Sequence, residues 1–261
     1  MIIVSVPGVH AYGKTKGSEK MPKQIVDYIR CEKDCKKLKF VEFNLDTSDL
    51  AFNQKNIFIE SMKLFRENRY NNEKILFLGG DHSISFPLFN AFRQVFQNPF
   101  LFDLDAHFDM MPPLKEVSHE EWLQALLNEG FDSANLRLIG ARKIYPEEEE
   151  NFKRSNIKVI KISEFDDFLK NKENFNLQEN DSIYLSLDLD VLDEKLFSAT
   201  GYPVAGGLTE EQLKKFLDKL FSLKNFKAMD LVEFNPEKDQ EDRKGLKIVM
   251  NIINQIIKNE I

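Results

Sequence analysis

Cysteine is scarce: the 261-residue chain has two, Cys31 and Cys35. They stand four apart in a lysine-rich stretch that reads as a helix end, so neither a disulfide framework nor a zinc pattern follows. Long apolar runs are missing as well. None approaches the roughly 20 residues needed to span a bilayer, and the opening MIIVSVPGV lacks the basic region and cleavage site of a signal peptide. Nor is there an excess of basic residues, since Asp and Glu number 43 against 36 Lys and Arg, a formal net charge of -7. That balance argues against gripping a nucleic-acid backbone, which calls for Lys and Arg concentrated on one face. It is compatible with a cationic substrate, and equally with plain solubility. Serine- and glycine-rich linkers, low-complexity segments and fixed-period repeats are absent, so one domain over 1–261 is expected, in a reducing cytoplasm.

What is present is an ordinary globular composition, 42% hydrophobic and 30% charged. Short runs of Ile, Val, Leu and Phe alternate with longer amphipathic stretches. Strands are expected at Ile2–Val6, Phe40–Asn44, Lys74–Leu78, Phe100–Asp105, Leu136–Ala141, Lys158–Ile162, Ser182–Asp188 and Phe226–Phe234. Helices are expected near Phe52–Arg69, Phe86–Phe96, His119–Glu129, Glu147–Arg154, Glu210–Leu223 and Gly245–Lys258. The order predicts a single-domain, three-layer α/β/α fold around a mostly parallel sheet. The acidic run Glu147–Glu150 reads as a solvated helix start favoured by the helix dipole.

Ligands of open parallel sheets bind beyond the carboxyl ends of the strands, and three strands end in unusual residues. FLFDL runs into DAHFD, placing Asp105, His107 and Asp109 on one side of an extended chain. SIYLSLDLD ends in Asp188 and Asp190, and ILFLGGDHS carries His82 just past another buried strand. Taken singly, each has a bland reading as a cap, a solvated acid or a satisfied histidine. Together they are four carboxylates and two imidazoles, which are costly to bury without a cation. A set so rich in oxygen suits six-coordinate Mn²⁺ better than tetrahedral zinc, and it exceeds what one ion needs. Two ions roughly 3.5–4 Å apart can share a water and lower its pKa towards neutrality.

GGDHS at 79–83, DAHFD at 105–109 and SLDLDVLDE at 186–194 resemble the metal motifs of the ureohydrolase family of arginases and agmatinases. ATGYPVAGGLT and DLVEFNPEKD resemble two later blocks of that family, in the same order. The resemblance implies an arginase-like fold, two Mn²⁺ ions, and hydrolysis of a guanidino C–N bond with release of urea. One ion would be held by His82, Asp105, Asp109 and Asp188, the other by His107, Asp105, Asp188 and Asp190. Glu233 would pair with the substrate guanidinium, whose planar fork suits a carboxylate. His119, in VSHEEW, would protonate the departing amine, and Asp109 would relay the first proton. Read without the family, His119 instead starts an amphipathic helix after Ser118, a natural N-cap. The family also implies a homo-oligomer, a trimer or hexamer.

Departures from the family concern the far end of the substrate. Met110, Met111 and Tyr145 stand where arginases have polar groups for an amino acid, which favours a small cationic guanidino substrate such as agmatine. Lys143 reads as solvated, but as a partner for a distal carboxylate it would keep guanidinobutyrase or formimidoylglutamase activity open. Arginase activity itself stays open as well, as does metal binding without turnover in a non-catalytic paralogue. Metal-dependent deacetylases are less similar. His10 is expected to be structural or at the pocket rim. Asp103, facing the same side as Asp105, is an additional acid that would either raise metal affinity or support a ligand from behind.

Overall fold

The computed structural model describes residues 1–10, 13–32, 37–46, 49–69, 73–175, 177–178 and 180–258. In chain order the elements are β1 (Ile2–Val6), α1 (Met21–Glu32), β2 (Lys39–Glu42), α2 (Leu50–Asn68), β3 (Ile75–Gly79), α3 (Ser85–Val95), β4 (Pro99–Leu104) and α4 (Trp122–Asn128). They continue with β5 (Leu136–Ile139), α5 (Glu149–Ser155), β6 (Lys158–Ile160), α6 (Phe165–Lys170), β7 (Ser182–Asp188), α7 (Glu210–Phe221), β8 (Phe226–Val232) and α8 (Lys244–Lys258). The eight strands form one sheet in the order β2-β1-β3-β8-β7-β4-β5-β6. Every pairing is parallel.

The strands are apolar on both sides because both sides are covered. Successive residues feed opposite cores, as the pleat requires. Leu76, Leu78, Phe102, Leu104, Leu185 and Leu187 face α1, α6, α7 and α8. Ile75, Phe77, Leu101 and Tyr184 face α2, α3 and α4. Helix α7 starts at a capping box, in which Thr209 accepts from the Gln212 backbone and the Gln212 side chain reaches back. Its Leu213, Phe216, Leu217 and Leu220 make the buried stripe.

The expected α/β/α layering and order are those of the structure, with Ile2–Val6 and Ser182–Asp188 at the expected ends. Two helices, α1 and α6, were not among the expected spans, although α1 ends at Glu32, in the stretch around Cys31 that reads as a helix end. The first carries Met21, Ile25 and Ile29 at four-residue spacing, all buried, a legible signal; the second is too short for periodicity to show. The expected helix at 119 begins instead at Trp122, and Ser118 does not cap it. The Glu121 carboxylate accepts from the Ser118 backbone and hydroxyl instead. Cys31 is exposed and free, and Cys35 lies outside the described residues. No helix among those described is long and apolar enough to cross a membrane.

Strand ends fall earlier than expected where the chemistry lies. Strand β4 stops at Leu104, β5 at Ile139 and β8 at Val232, and Asp109 (φ 48) and Glu233 (φ 67) take left-handed backbone. Asp105, His107 and Asp109 therefore do not converge by extended alternation. After β4 the backbone leaves the regular ladder, with His107 N donating to Asp105 Oδ1 at 2.6 Å and Ala106 N to Asp190 Oδ1 at 2.9 Å, and His107 bridges in parallel to Lys143.

Leu185 is fully buried in the middle of the sheet, so Leu185→Ala should destabilise the fold by about 2–5 kcal/mol through lost transfer and a cavity. Leu114→Ala, at a side chain 53% exposed, should stay within about 0.5 kcal/mol. Denaturant unfolding of both variants checks the contrast.

Candidate active site

The four strands adjacent at the centre of the sheet, β3, β8, β7 and β4, all end on the same side. His82 follows β3, Glu233 follows β8, Asp188 closes β7 with Asp190 two residues on, and Asp105, His107 and Asp109 follow β4. Parallel pairing thus brings residues up to 151 positions apart into contact. His82, Asp105, Asp109, Asp188 and Asp190 are buried, with His107 slightly more open.

His82 Nδ1 lies 3.0 Å from Asp105 Oδ2, 3.1 Å from Asp109 Oδ2 and 3.4 Å from Asp188 Oδ2. His107 Nδ1 lies 2.8 Å from Asp190 Oδ2 and 3.5 Å from Asp105 Oδ1. Two ligand sets result, His82–Asp105–Asp109 and Asp105–His107–Asp190, each with its atoms within 4.8 Å of one another. Asp105 belongs to both and turns one oxygen to each. Asp188 presents Oδ2 to His82, while its Oδ1 accepts from Asp190 N at 2.7 Å. The cap reading of Asp188 is therefore also true: it caps the short turn Leu189–Val191.

Electrostatics make the same point. Burial pushes the carboxyls of Asp109 and Asp188 well above the usual range, and neighbouring carboxylates push further. Burial also works against charge on His82 and His107, yet the surrounding carboxylates hold both imidazoles well above their ordinary pKa. Without a metal, the acids and imidazoles can be neutral together only by sharing protons; divalent cations neutralise them directly. His82 Nδ1 and Asp105 Oδ2 are buried with no hydrogen-bond partner, as ligand atoms aimed at an ion should be.

A polar rung, of which sequence reasoning named only Asp103, supports His82 from beneath. Asp103, Ser186 and Asp230 are aligned across β4, β7 and β8. Ser186 Oγ donates to Asp230 Oδ1 at 2.8 Å, Tyr184 Oη donates to Asp230 Oδ2 at 2.7 Å, and Ser186 Oγ sits 2.9 Å from His82 Nε2. Ser186 Oγ also reaches Ser85 Oγ at 3.2 Å; with its proton towards Asp230 it accepts from Nε2–H, which in a neutral His82 leaves the Nδ1 lone pair facing the carboxylates. Asp103 is here too, 3.7 Å from His82 Nε2 and behind the ligand instead of beside Asp105. The available signal was alternation, because Ser186 and Asp230 interrupt apolar strands at positions that face a core.

A cleft opens above the ligands, walled by His107, Met111, His119, Glu120, Tyr145, Glu148, Tyr202 and Glu233. Glu233 Oε1 accepts from His82 N at 3.0 Å, and burial raises its carboxyl well above the normal range. His119 is buried, with neither ring nitrogen hydrogen-bonded among the described residues. His10 is buried behind it, its backbone N donating to Asp81 Oδ2 at 2.8 Å. Met110 belongs to the core and only Met111 reaches the cleft. Lys143 is exposed, its Nζ 5.1 Å from the Tyr145 ring centre. Glu148 corrects the reading of 147–150 as a solvated face: it is buried, accepts from Met110 N at 3.0 Å and Tyr145 N at 2.7 Å, and borders the cleft. Glu149 and Glu150 behave as expected, pairing with Lys153 and Arg154 one turn on.

A parallel α/β protein with two carboxylate–imidazole ligand sets at its strand ends is the class that fold and site define. The chain belongs to the arginase family, whose sequence model matches residues 1–258. The N(1)-aminopropylagmatine ureohydrolase of Thermus thermophilus is 31% identical over 188 residues, 68% of this chain and 61% of that protein. The agmatinase of Neisseria meningitidis is 32% identical over 202 residues, 76% of this chain and 64% of its own length. The matches thus cover less than two thirds of these relatives. The crystal structure of arginase from Bacillus subtilis superposes with a TM-score of 0.82 at 22% identity, covering 97% of this chain and 96% of that one, and shares the fold.

The loop after β7 is held by Arg142. Its guanidinium donates to the carbonyls of Gly140, Asp190, Leu192, Val204 and Ala205. Arg142→Ala should cost about 1.5–3 kcal/mol, the range for hydrogen bonds to a charged group, and speed amide exchange selectively over residues 190–207. Hydrogen-exchange mass spectrometry reads both effects.

Proposed function

We propose that the protein is a manganese-dependent hydrolase of linear amidines, an agmatinase-like ureohydrolase that splits a guanidino C–N bond and releases urea. The observation that carries this reading is Asp105, whose two oxygens face separate imidazole–carboxylate sets directly beneath a cleft bordered by Glu233 and His119. One ion would be held by His82, Asp105, Asp109 and Asp188, the other by His107, Asp105, Asp188 and Asp190. Asp188 turns Oδ2 towards His82, and its Oδ1 accepts from Asp190 N. The donor set is oxygen-rich and free of thiolate, which fits Mn²⁺. Two such ions supply a water acidified towards neutrality, a nucleophile at physiological pH.

The chain's own side chains do the rest. Glu233 pairs with the guanidinium and orients its carbon towards the ligand cluster. Asp109 accepts the proton lost by the nucleophile. His119, with both ring nitrogens unengaged, hands a proton to the departing amine, which leaves poorly without one.

The cleft also sorts the candidate substrates. No lysine or arginine is among the described residues that border it, whereas Glu120 and Glu148 are. A distal carboxylate, as in arginine, guanidinobutyrate or formimidoylglutamate, would meet like charge at Glu120 and Glu148, the nearest cations being Lys143 and Lys14, set back over the Tyr145 and Tyr202 rings. A distal ammonium would meet opposite charge beside the apolar surfaces of Met111 and Tyr145. A cytoplasmic homo-oligomer, trimeric or hexameric, completes the proposal, on family resemblance and scarce cysteine.

Urea release from agmatine, arginine, guanidinobutyrate and guanidine in the presence of Mn²⁺ tests the reading. Agmatine should be the best of the four, and Asp109→Asn should lower kcat by about 10² or more. Protein carrying two metal ions and yielding no urea from any guanidine would overturn the hydrolase and leave a metal-dependent binding protein.

A further inference from the structure

His119 has an uncommon problem for a buried imidazole. Both ring nitrogens lack a hydrogen-bond partner among the described residues, and its nearest carboxylates are distant: Asp81 Oδ2 at 3.8 Å from Nδ1 and Glu120 Oε1 at 3.9 Å from Nε2. Asp81 is already engaged elsewhere, Oδ2 accepting from His10 N and Thr15 Oγ1 and Oδ1 from Ser83. A histidine is usually oriented by the hydrogen bond of its second nitrogen. Here only packing is left to set the ring.

That packing comes from Tyr202. Its ring lies nearly parallel to the His119 imidazole, with centroids 6.0 Å apart and planes 23° apart, and turns an edge to His107 at 6.3 Å and 80°. Tyr202 is itself held at both ends. Its hydroxyl accepts from Lys14 N at 3.2 Å, and the backbone leading into it is fastened by Lys238, whose Nζ donates to Lys14 O, Thr200 O and Gly201 O at 2.8, 3.1 and 3.2 Å. Pro203 confines Tyr202 to extended backbone. Gly13, at φ 60, passes so close to the hydroxyl that a Cβ there would overlap it. Two loops distant in sequence thus meet on one aromatic ring, and that ring covers the histidine.

We propose that Tyr202 is the positioning residue for His119: its ring fixes the imidazole plane while both nitrogens stay available to the substrate and its departing amine. A hydrogen-bonded anchor would occupy one nitrogen, whereas a stacked one occupies neither. The role rests on the ureohydrolase reading for its kinetic consequence, and on geometry alone for the contact between the rings.

The experiment therefore has two arms on the full chain. In the first, Tyr202→Leu, Tyr202→Phe and His119→Asn are compared by the imidazole NMR signals of the Mg²⁺-loaded protein, which has four histidines. The signal lost in His119→Asn should move in Tyr202→Leu, which removes the ring current, and stay in place in Tyr202→Phe. In the second, kcat on agmatine should fall about tenfold or more in Tyr202→Leu with KM changed by less than about threefold, and be largely rescued by Tyr202→Phe. In the His119→Asn background, Tyr202→Leu should change kcat by less than about twofold, as expected of two residues acting as one unit. An unmoved His119 signal, or an equal loss of kcat with and without His119, would overturn the proposal. Wild-type protein that releases no urea would sink the ureohydrolase reading and leave the NMR arm to decide the contact.

Discussion

Four carboxylates gathered at the ends of adjacent strands, shielded from water, repel one another, and the rest of the molecule is arranged around that repulsion. The ligand atoms lie within 4.8 Å of one another in each set. Two like charges at about 4 Å repel by about 4 kcal/mol at an effective dielectric near 20, set against a whole-domain stability of about 5–15 kcal/mol. Such a cluster persists only with compensating positive charge. Protons shared with His82 and His107 compensate in part, and two divalent ions compensate fully. The fold therefore uses a buried, rigid parallel sheet to hold the acids in place.

The polar rung beneath the ligands extends the same logic inward. Asp230 accepts from Ser186 and Tyr184, and Ser186 in turn meets His82 Nε2, so that the other nitrogen of His82 faces the carboxylates above. Outward, Arg142 gathers the carbonyls of the loop after β7, and Lys238 gathers those around Tyr202. Cations on the scaffold collect backbone oxygen at the margins of the site, while the cleft itself contains acids and aromatics. A guanidinium is the kind of ligand that such a lining admits.

Much of this was legible in the sequence, for physical reasons that can be named. Apolar strands ending in acid or histidine singled out His82, Asp105, His107, Asp109, Asp188 and Asp190 as candidates, because burying those groups is costly enough to demand an explanation, and the fold gathers them. The layering followed from strands apolar on both faces. How the residues converge was not legible: Asp109 and Glu233 reach their places through left-handed backbone, which a pattern of period two does not contain. Glu148 was hidden inside a run of four glutamates, three of them exposed, so its burial depends on a tertiary contact with the backbone of Met110 and Tyr145. Ser186, Asp230 and Tyr202 were hidden for a similar reason, since each matters through a partner more than forty residues away.

The central claim is that Asp105 joins two cation sites. Crystals of the Mn²⁺-loaded protein measured at the manganese absorption edge should show two anomalous peaks per chain, separated by roughly 3.5–4 Å. One should lie among His82, Asp105 and Asp109 and the other among Asp105, His107 and Asp190. A single peak, or two peaks of which only one touches Asp105, would contradict the account.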